Sequence, residues 1–172
     1  LILMNISATL TKKKTTNAEL KKNYGLFQKY KPLGLIKLSN KDMTDELVEW
    51  LKVLTAGFVV VVENATEEQV AKNVIITDSV DSTALSGFDF VVWDNDLAQI
   101  SDYTNAGVTP IINKDNHLNT ILKEFNPLKN EGNSFHYEEL NHWAIFYTIV
   151  RYMENYKFPF DNKNLIKNVL SV

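Results

Sequence analysis

Five apolar runs of strand length constrain this chain more than any other feature: LGLIKL (33–38), FVVVV (58–62), NVIIT (73–77), FDFVVW (88–93) and TPII (109–112). Each is nearly continuous rather than alternating, and rich in valine and isoleucine. A strand wetted on one side alternates apolar with polar residues, whereas one covered on both faces need not. The runs therefore predict a parallel sheet with helices on either side. Amphipathic stretches lie between them. In DMTDELVEWLKVLT, Met43, Leu47, Trp50, Leu51 and Leu54 fall at helical spacing behind an acidic first turn. DLAQISDYTNAG supplies Leu97, Ile100 and Tyr103, then Gly107 as a stop; HLNTILKEF supplies Leu118, Ile121, Leu122 and Phe125. LNHWAIFYTIVRYMENYKF sets Leu140, Trp143, Phe146, Tyr147, Val150 and Met153 on one stripe expected to pack into the core, with Asn141 as N-cap and Pro159 as the end. Strand alternating with helix predicts a doubly wound α/β domain.

At 172 residues the chain reads as a single domain, 1–172, large enough for a substantial core. A net charge of −3 gives no electrostatic support to nucleic-acid binding. Arg151 is the only arginine, which matters because the guanidinium fork is the usual clamp on phosphates. Zero cysteines exclude disulfides and thiolate metal sites and fit a reducing, cytoplasmic setting. No apolar run approaches the roughly 20 residues of a membrane helix. LILMNISATL is short and has no basic flank before it. His117, His136 and His142 lack metal-ligand spacing, so neither metal nor cofactor is expected. No Gly-x-Gly-x-x-Gly, Walker loop or nucleophile elbow is present. The basic cluster TKKKTTNAELKK reads as a solvated helix start.

Taken in order, these segments resemble a known family. KKKTTNAELKKNYGL resembles the lysine-rich opening, N-K-x-x-L-Q-x-x-x-G-L, of the C-terminal lobe of glycogen and starch synthases, and LGLIKLSN sits where they have F-V-S-R-L. FDFVVWDNDLAQISDYTNAGVTPII resembles their A-D-F-x-L-x-P-S-R-F-E-P-C-G-L…G-T-V-P-I-V segment. LKEFNPLKNEGNSFHYEELNHWAIFYTIVR resembles V-x-D-F-N-P…G-x-G-F-x-F-E-x-Y…W-A-L-x-x-A-L-x-R. The likeness covers about residues 12–155. It implies a Rossmann-like lobe of the two-lobed glycosyltransferase B architecture. That lobe binds the donor, ADP-glucose or UDP-glucose, while an α-glucan acceptor reaches the cleft from an N-terminal lobe. The chain begins at Leu1 and stops at NVLSV, short of the family's closing F-S-W helix, so a piece of something longer is expected.

Transfer from a nucleotide diphosphosugar builds negative charge on the departing phosphate, which calls for fixed positive charge and backbone N–H groups. The resemblance implies an arginine after the first strand and a lysine a few residues on. Here Ser39 is kept, Asn40 stands in the arginine's place, and Thr44, Asp45 and Glu46 occupy the lysine's region, leaving Lys41 as the nearby cation. Losing such charges costs on the order of 100-fold in rate. The family's T-G-G-L-x-D-T turn, whose bare glycines admit phosphate, corresponds to Asp115, Asn116, His117, Leu118, Asn119 and Thr120. Asp115 reads as an N-cap, so the helix is capped by its own protein. The wider class carries E-x7-E; an ungapped placement puts Asp94 and Asp102 at those positions, with Leu97 where the family has glycine. Among 21 acidic residues such spacing arises by chance, and of the two Asp94, at a strand's carboxyl end, is the better sugar contact. His136 beside Glu138 and Glu139 reads as part of a structural edge segment.

Packing residues persist (Leu118, Pro110, Gly107, Gly132 and the Trp143 helix) while the phosphate-binding ones are gone. The expectation is a glycosyltransferase-like donor lobe with impaired or absent catalysis, acting through a protein partner or an N-terminal lobe. The alternative is the donor lobe of an active glucosyltransferase using Lys41 or Lys114 as its clamp. A further alternative is an unrelated flavodoxin-like domain.

Overall fold

The computed structural model of the protein describes residues 2–94 and 99–172; Leu97, expected at the head of a helix, lies outside them. The sheet contains β1 (Leu33–Lys37), β2 (Gly57–Val61), β3 (Glu68–Ala71), β4 (Val74–Thr77), β5 (Phe90–Trp93), β6 (Thr109–Asn113) and β7 (Phe135–Tyr137). All five apolar runs are therefore strands. β3 escapes the pattern because it is a polar strand, antiparallel to β4 at one edge of the sheet.

Strand order is β3-β4-β2-β1-β5-β6-β7, with every pairing but β3–β4 parallel. Counting only the parallel strands, this is the order 3-2-1-4-5-6 of a Rossmann sheet. A flavodoxin-like sheet runs 2-1-3-4-5, so that alternative is overturned. Side chains partition with a period of two. Ile36, Phe58, Val60, Phe90 and Val92 join one core, and Leu35, Val59, Val91 and Trp93 join the other. Burial on both faces is the reason the runs are continuous.

The helices are α1 (Ile2–Asn23), α2 (Lys41–Leu51), α3 (Ile100–Asn105), α4 (His142–Tyr156) and α5 (Pro159–Leu170). The first core takes in Leu47 and Leu51 of α2, Ile145, Ile149 and Tyr152 of α4, and Leu165 of α5. The second takes in Leu20 of α1 and Tyr103 of α3. Gly107 stops α3 as anticipated. At φ +69° it lets its own N–H reach Thr104 O (3.0 Å) and that of Val108 reach Tyr103 O (2.9 Å), a Schellman closure. Asn141 caps α4 by accepting from Ala144 N at 2.8 Å.

Three local expectations need correction. The stripe of α4 that enters the core is Ile145, Thr148, Ile149 and Tyr152. Leu140, Trp143 and Tyr147 are 56%, 55% and 64% exposed. Apolar residues occupy most of the circumference, so periodicity does not choose a face; the fit against β7 and α2 does. Trp143 instead packs at a tilt against Trp50, ring centres 4.2 Å apart and planes at 54°. Trp143→Ala is accordingly expected to cost no more than about 1.5 kcal/mol by urea denaturation, the scale of an aromatic pair, against about 3–5 for a core aromatic.

The basic cluster TKKKTTNAELKK is neither a helix start nor fully solvated, because it forms the second half of α1. Lys13 and Lys21 are buried, and Lys13 Nζ donates to Ser86 O at 3.1 Å and Phe88 O at 2.5 Å. HLNTILKEF makes only a 3-10 turn at His117–Thr120, leaving Ile121 48% exposed. The residues beyond it find other backbone partners: Phe125 N bonds Ser134 O and Ser134 N bonds Lys123 O, which competes with helix continuation.

Candidate functional site

In a Rossmann sheet the connections leaving β1 and β5 diverge to opposite sides, opening a crevice at their carboxyl ends. Ser39 follows β1 and Asp94 follows β5, on neighbouring strands. The structure brings them together. Ser39 N donates to both carboxylate oxygens of Asp94 at 3.1 and 3.0 Å, and Ser39 Oγ donates to Asp94 Oδ2 at 2.7 Å. Asp94 thus fixes the turn that leads into α2. The same carboxylate lines a cleft of about 1010 Å³ with Asn113, Asn116 and His117.

The residues at the family's phosphate positions are occupied with local tasks. Asn40 caps α2, its Oδ1 accepting from Met43 N at 2.9 Å. Lys41 turns along the helix surface to Asp45, 2.5 Å away, and both side chains are more than half exposed. Asn116, rather than Asp115, caps the 3-10 turn by accepting from Leu118 N at 2.9 Å. The reason is one residue upstream: Asn113 Oδ1 takes the Asp115 N–H at 2.8 Å, which closes a turn first and moves the cap along by one. Lys114 Nζ bonds Glu138 Oε2 at 2.6 Å. That bond, reinforced by the opposite charges, holds Glu138 below the ordinary carboxylate range and raises Lys114.

Glu138 and Glu139, which follow β7, also line the cleft, as does Asp115. Among the described residues, four carboxylates therefore face it, and no lysine or arginine lines it. Neither glutamate was singled out for this place by the sequence. The available signal was position alone, since both stand just past the carboxyl end of a strand. Asp102 does not join Asp94. It sits in the first turn of α3 and lines a separate cavity of about 440 Å³ with Lys12 and Thr83.

His136 is a structural residue of β7, the other edge strand. Its backbone N–H bonds Glu124 Oε2 at 2.6 Å, its ring lies 3.0 Å from Ser134 Oγ, and burial pushes its pKa down. Among the described residues, no group of three or more histidines and acids could hold a metal ion. None of the described helices is long and apolar enough to cross a membrane.

No family model and no curated protein sequence matches the chain. Solved structures do. The catalytic domain of starch synthase IV from Arabidopsis thaliana, bound to ADP and acarbose, superposes with a TM-score of 0.73 at 18% identity, over 93% of this chain and 39% of that one. The calicheamicin glycosyltransferase CalG4 gives a TM-score of 0.55 at 10% identity, over 84% and 39%. UDP-GlcNAc 2-epimerase from Neisseria meningitidis, bound to UDP-GlcNAc, gives 0.57 at 12%, over 96% and 49%. The fold is that of a glycosyltransferase B lobe. The lobe spans between about two fifths and one half of these neighbours. They include an epimerase as well as transferases, so the architecture alone does not assign a reaction to this lobe.

Proposed function

We propose that this lobe descends from the donor-binding half of a glucosyltransferase of the glycogen or starch synthase type and acts by binding, without catalysing sugar transfer. One observation carries the reading: Lys41 and Lys114, the two candidate phosphate clamps, are each held by a carboxylate, and four carboxylates line the cleft with no lysine or arginine among its described lining residues. A pyrophosphate brought there meets repulsion, and the amides of Asn40 and Asn116 offer it no charge. A nucleotide sugar is the ligand to test because a structural neighbour holds ADP and acarbose.

Calorimetry with ADP-glucose and UDP-glucose is expected to give no saturable heat tighter than about 1 mM. Binding tighter than this, abolished by Asp94→Ala or Lys114→Ala, would overturn the reading. A double variant tests the electrostatics directly. Asn40→Arg restores a guanidinium and Glu138→Gln releases Lys114, so together they are expected to raise nucleotide-sugar affinity at least about tenfold, or 1.4 kcal/mol. Asn40→Arg also removes the α2 cap, at a cost of about 1 kcal/mol of stability.

A second reading keeps the lobe as the donor half of an active enzyme. It is favoured by the exposure of the Lys114–Glu138 pair, 46% and 75%. An exposed pair is worth only about 0–1 kcal/mol, so an incoming diphosphate could draw Lys114 away from Glu138. In that case Glu138→Gln alone strengthens ADP-glucose binding and Lys114→Ala abolishes it.

A further inference from the structure

A cavity of about 490 Å³, sharing no residue with the cleft, lies between α4 and the start of α5. Phe125 and Phe135 are buried in its wall. Tyr147 and Phe158, also in the wall, stand 64% and 60% exposed. Two bare aromatic side chains over an apolar hollow are what a protein-binding surface presents when its partner is absent.

The polar groups around the hollow restrict what can fill it. Asn155 lines the hollow, its Nδ2 buried and without a hydrogen-bond partner among the described residues. The described lining carries Glu124, Glu154 and Asp161 with Arg151, and Lys157 reaches Glu154 from beside it. Arg151 is engaged already. It ion-pairs with Glu124 and its guanidinium lies 5.6 and 5.9 Å from the Phe135 and Tyr147 ring centres. Glu154 bonds Lys157 at 2.6 Å, leaving Asp161 without an ion pair among the described residues. The rim is acidic on balance, and its complement is basic.

We propose that this hollow binds a short segment of a partner protein in which one large apolar anchor, tryptophan, phenylalanine or leucine, is flanked by lysine or arginine. The anchor fills the aromatic hollow, and the flanking cations meet the acidic rim at Asp161. The site stands independently of the donor-lobe reading, since a nucleotide sugar would sit in the other cleft.

The test uses the isotopically labelled chain and three synthetic peptides. One carries tryptophan between lysines, one carries tryptophan between glutamates, and one carries alanine between lysines. The lysine–tryptophan peptide is expected to shift the Asn155 side-chain amide and the backbone amides of Tyr147 and Phe158 saturably. The glutamate peptide should bind at least about tenfold more weakly, and the alanine peptide should leave those signals unmoved. Phe158→Ala, at an exposed position, and Asp161→Lys, at a partly buried one, should each weaken the first peptide at least about fivefold while the rest of the spectrum keeps its dispersion. Equal response to the lysine and glutamate peptides overturns the proposal, as does silence at these residues up to about 1 mM. Shifts at the same residues that grow with protein concentration alone, with dimer in sedimentation, would give the surface to a second copy and overturn it too.

Discussion

Asp89→Ala is expected to lower stability by about 3–5 kcal/mol, the cost of breaking a buried charge arrangement by removing one partner. Asp89 sits just before β5, 9% exposed, and its Oδ2 accepts the Leu33 N–H at the start of β1 at 2.8 Å. Burial pushes its carboxyl up, and the charge of Lys13, itself buried, is the strongest influence drawing it back. Alanine leaves the Leu33 N–H without its acceptor and Lys13 without its compensating charge. Asp89→Asn should cost less, because an amide oxygen still accepts from Leu33 and only the charge is lost. Urea midpoints of the two variants measure both terms.

The pH dependence separates the charge from the hydrogen bond. Burial lowers Lys13 to about 8 from 10.5, with Asp89 opposing that shift. Between those two values the unfolded chain binds more protons than the folded one, so the Lys13 contribution makes stability rise with pH. Comparing wild type with Lys13→Met at pH 8 and about 9.5 isolates it, below the range where Tyr152 and Tyr156, both raised by burial, begin to titrate. Wild type should gain on the order of 1–2 kcal/mol relative to the variant across that interval. A parallel response of the two proteins would mean that Lys13 keeps an ordinary pKa.

Gly34→Val is expected to be the most disruptive single change in the sheet, at about 3 kcal/mol or more. Gly34 lies in the middle of β1, paired with Phe58 and Phe90 on its two neighbours. A Cβ built on it overlaps the edge of the Phe90 ring at Cζ and Cε2. The ring has nowhere to go, because Phe58 and Tyr152 hold it with centres 6.3 and 4.7 Å away. Shrinking the ring should relieve the overlap: Gly34→Ala combined with Phe90→Leu is expected to be more stable than the sum of the two single changes by at least about 1 kcal/mol. Additivity in that thermal or urea cycle would show that the ring is not what excludes a side chain from Gly34.

The cleft was legible in part. Position at the carboxyl end of a strand pointed to Asp94, and the asparagines and acids standing where the resemblance implies arginine and paired glycines pointed to an acidic, amide-rich pocket. The chain could not announce that Lys114 would meet Glu138, 24 residues away, or that Asp94 would bond Ser39, 55 residues away. Those contacts come from strand order, which sets β1 beside β5 and β6 beside β7. Nor could spacing separate Asp102 from Asp94, since that depends on where α3 lies against the sheet.

Composition along the chain was enough for five of the six parallel strands, for the stop at Gly107 and for the cap at Asn141, because each of these depends on residues within a few positions of one another. Continuous β-branched runs mean burial on both faces, a left-handed residue favours glycine, and an N-cap acts on its own first turn. Tertiary structure decided which face of α4 entered the core, that Lys13 and Lys21 would be buried, and that HLNTILKEF would end after one turn of 3-10 helix. In these cases the local preference was nearly balanced, and partners distant in sequence supplied the difference. An all-round apolar helix packs by shape, a lysine is buried when backbone carbonyls and a carboxylate receive it, and a helix stops where another strand of chain takes its N–H groups.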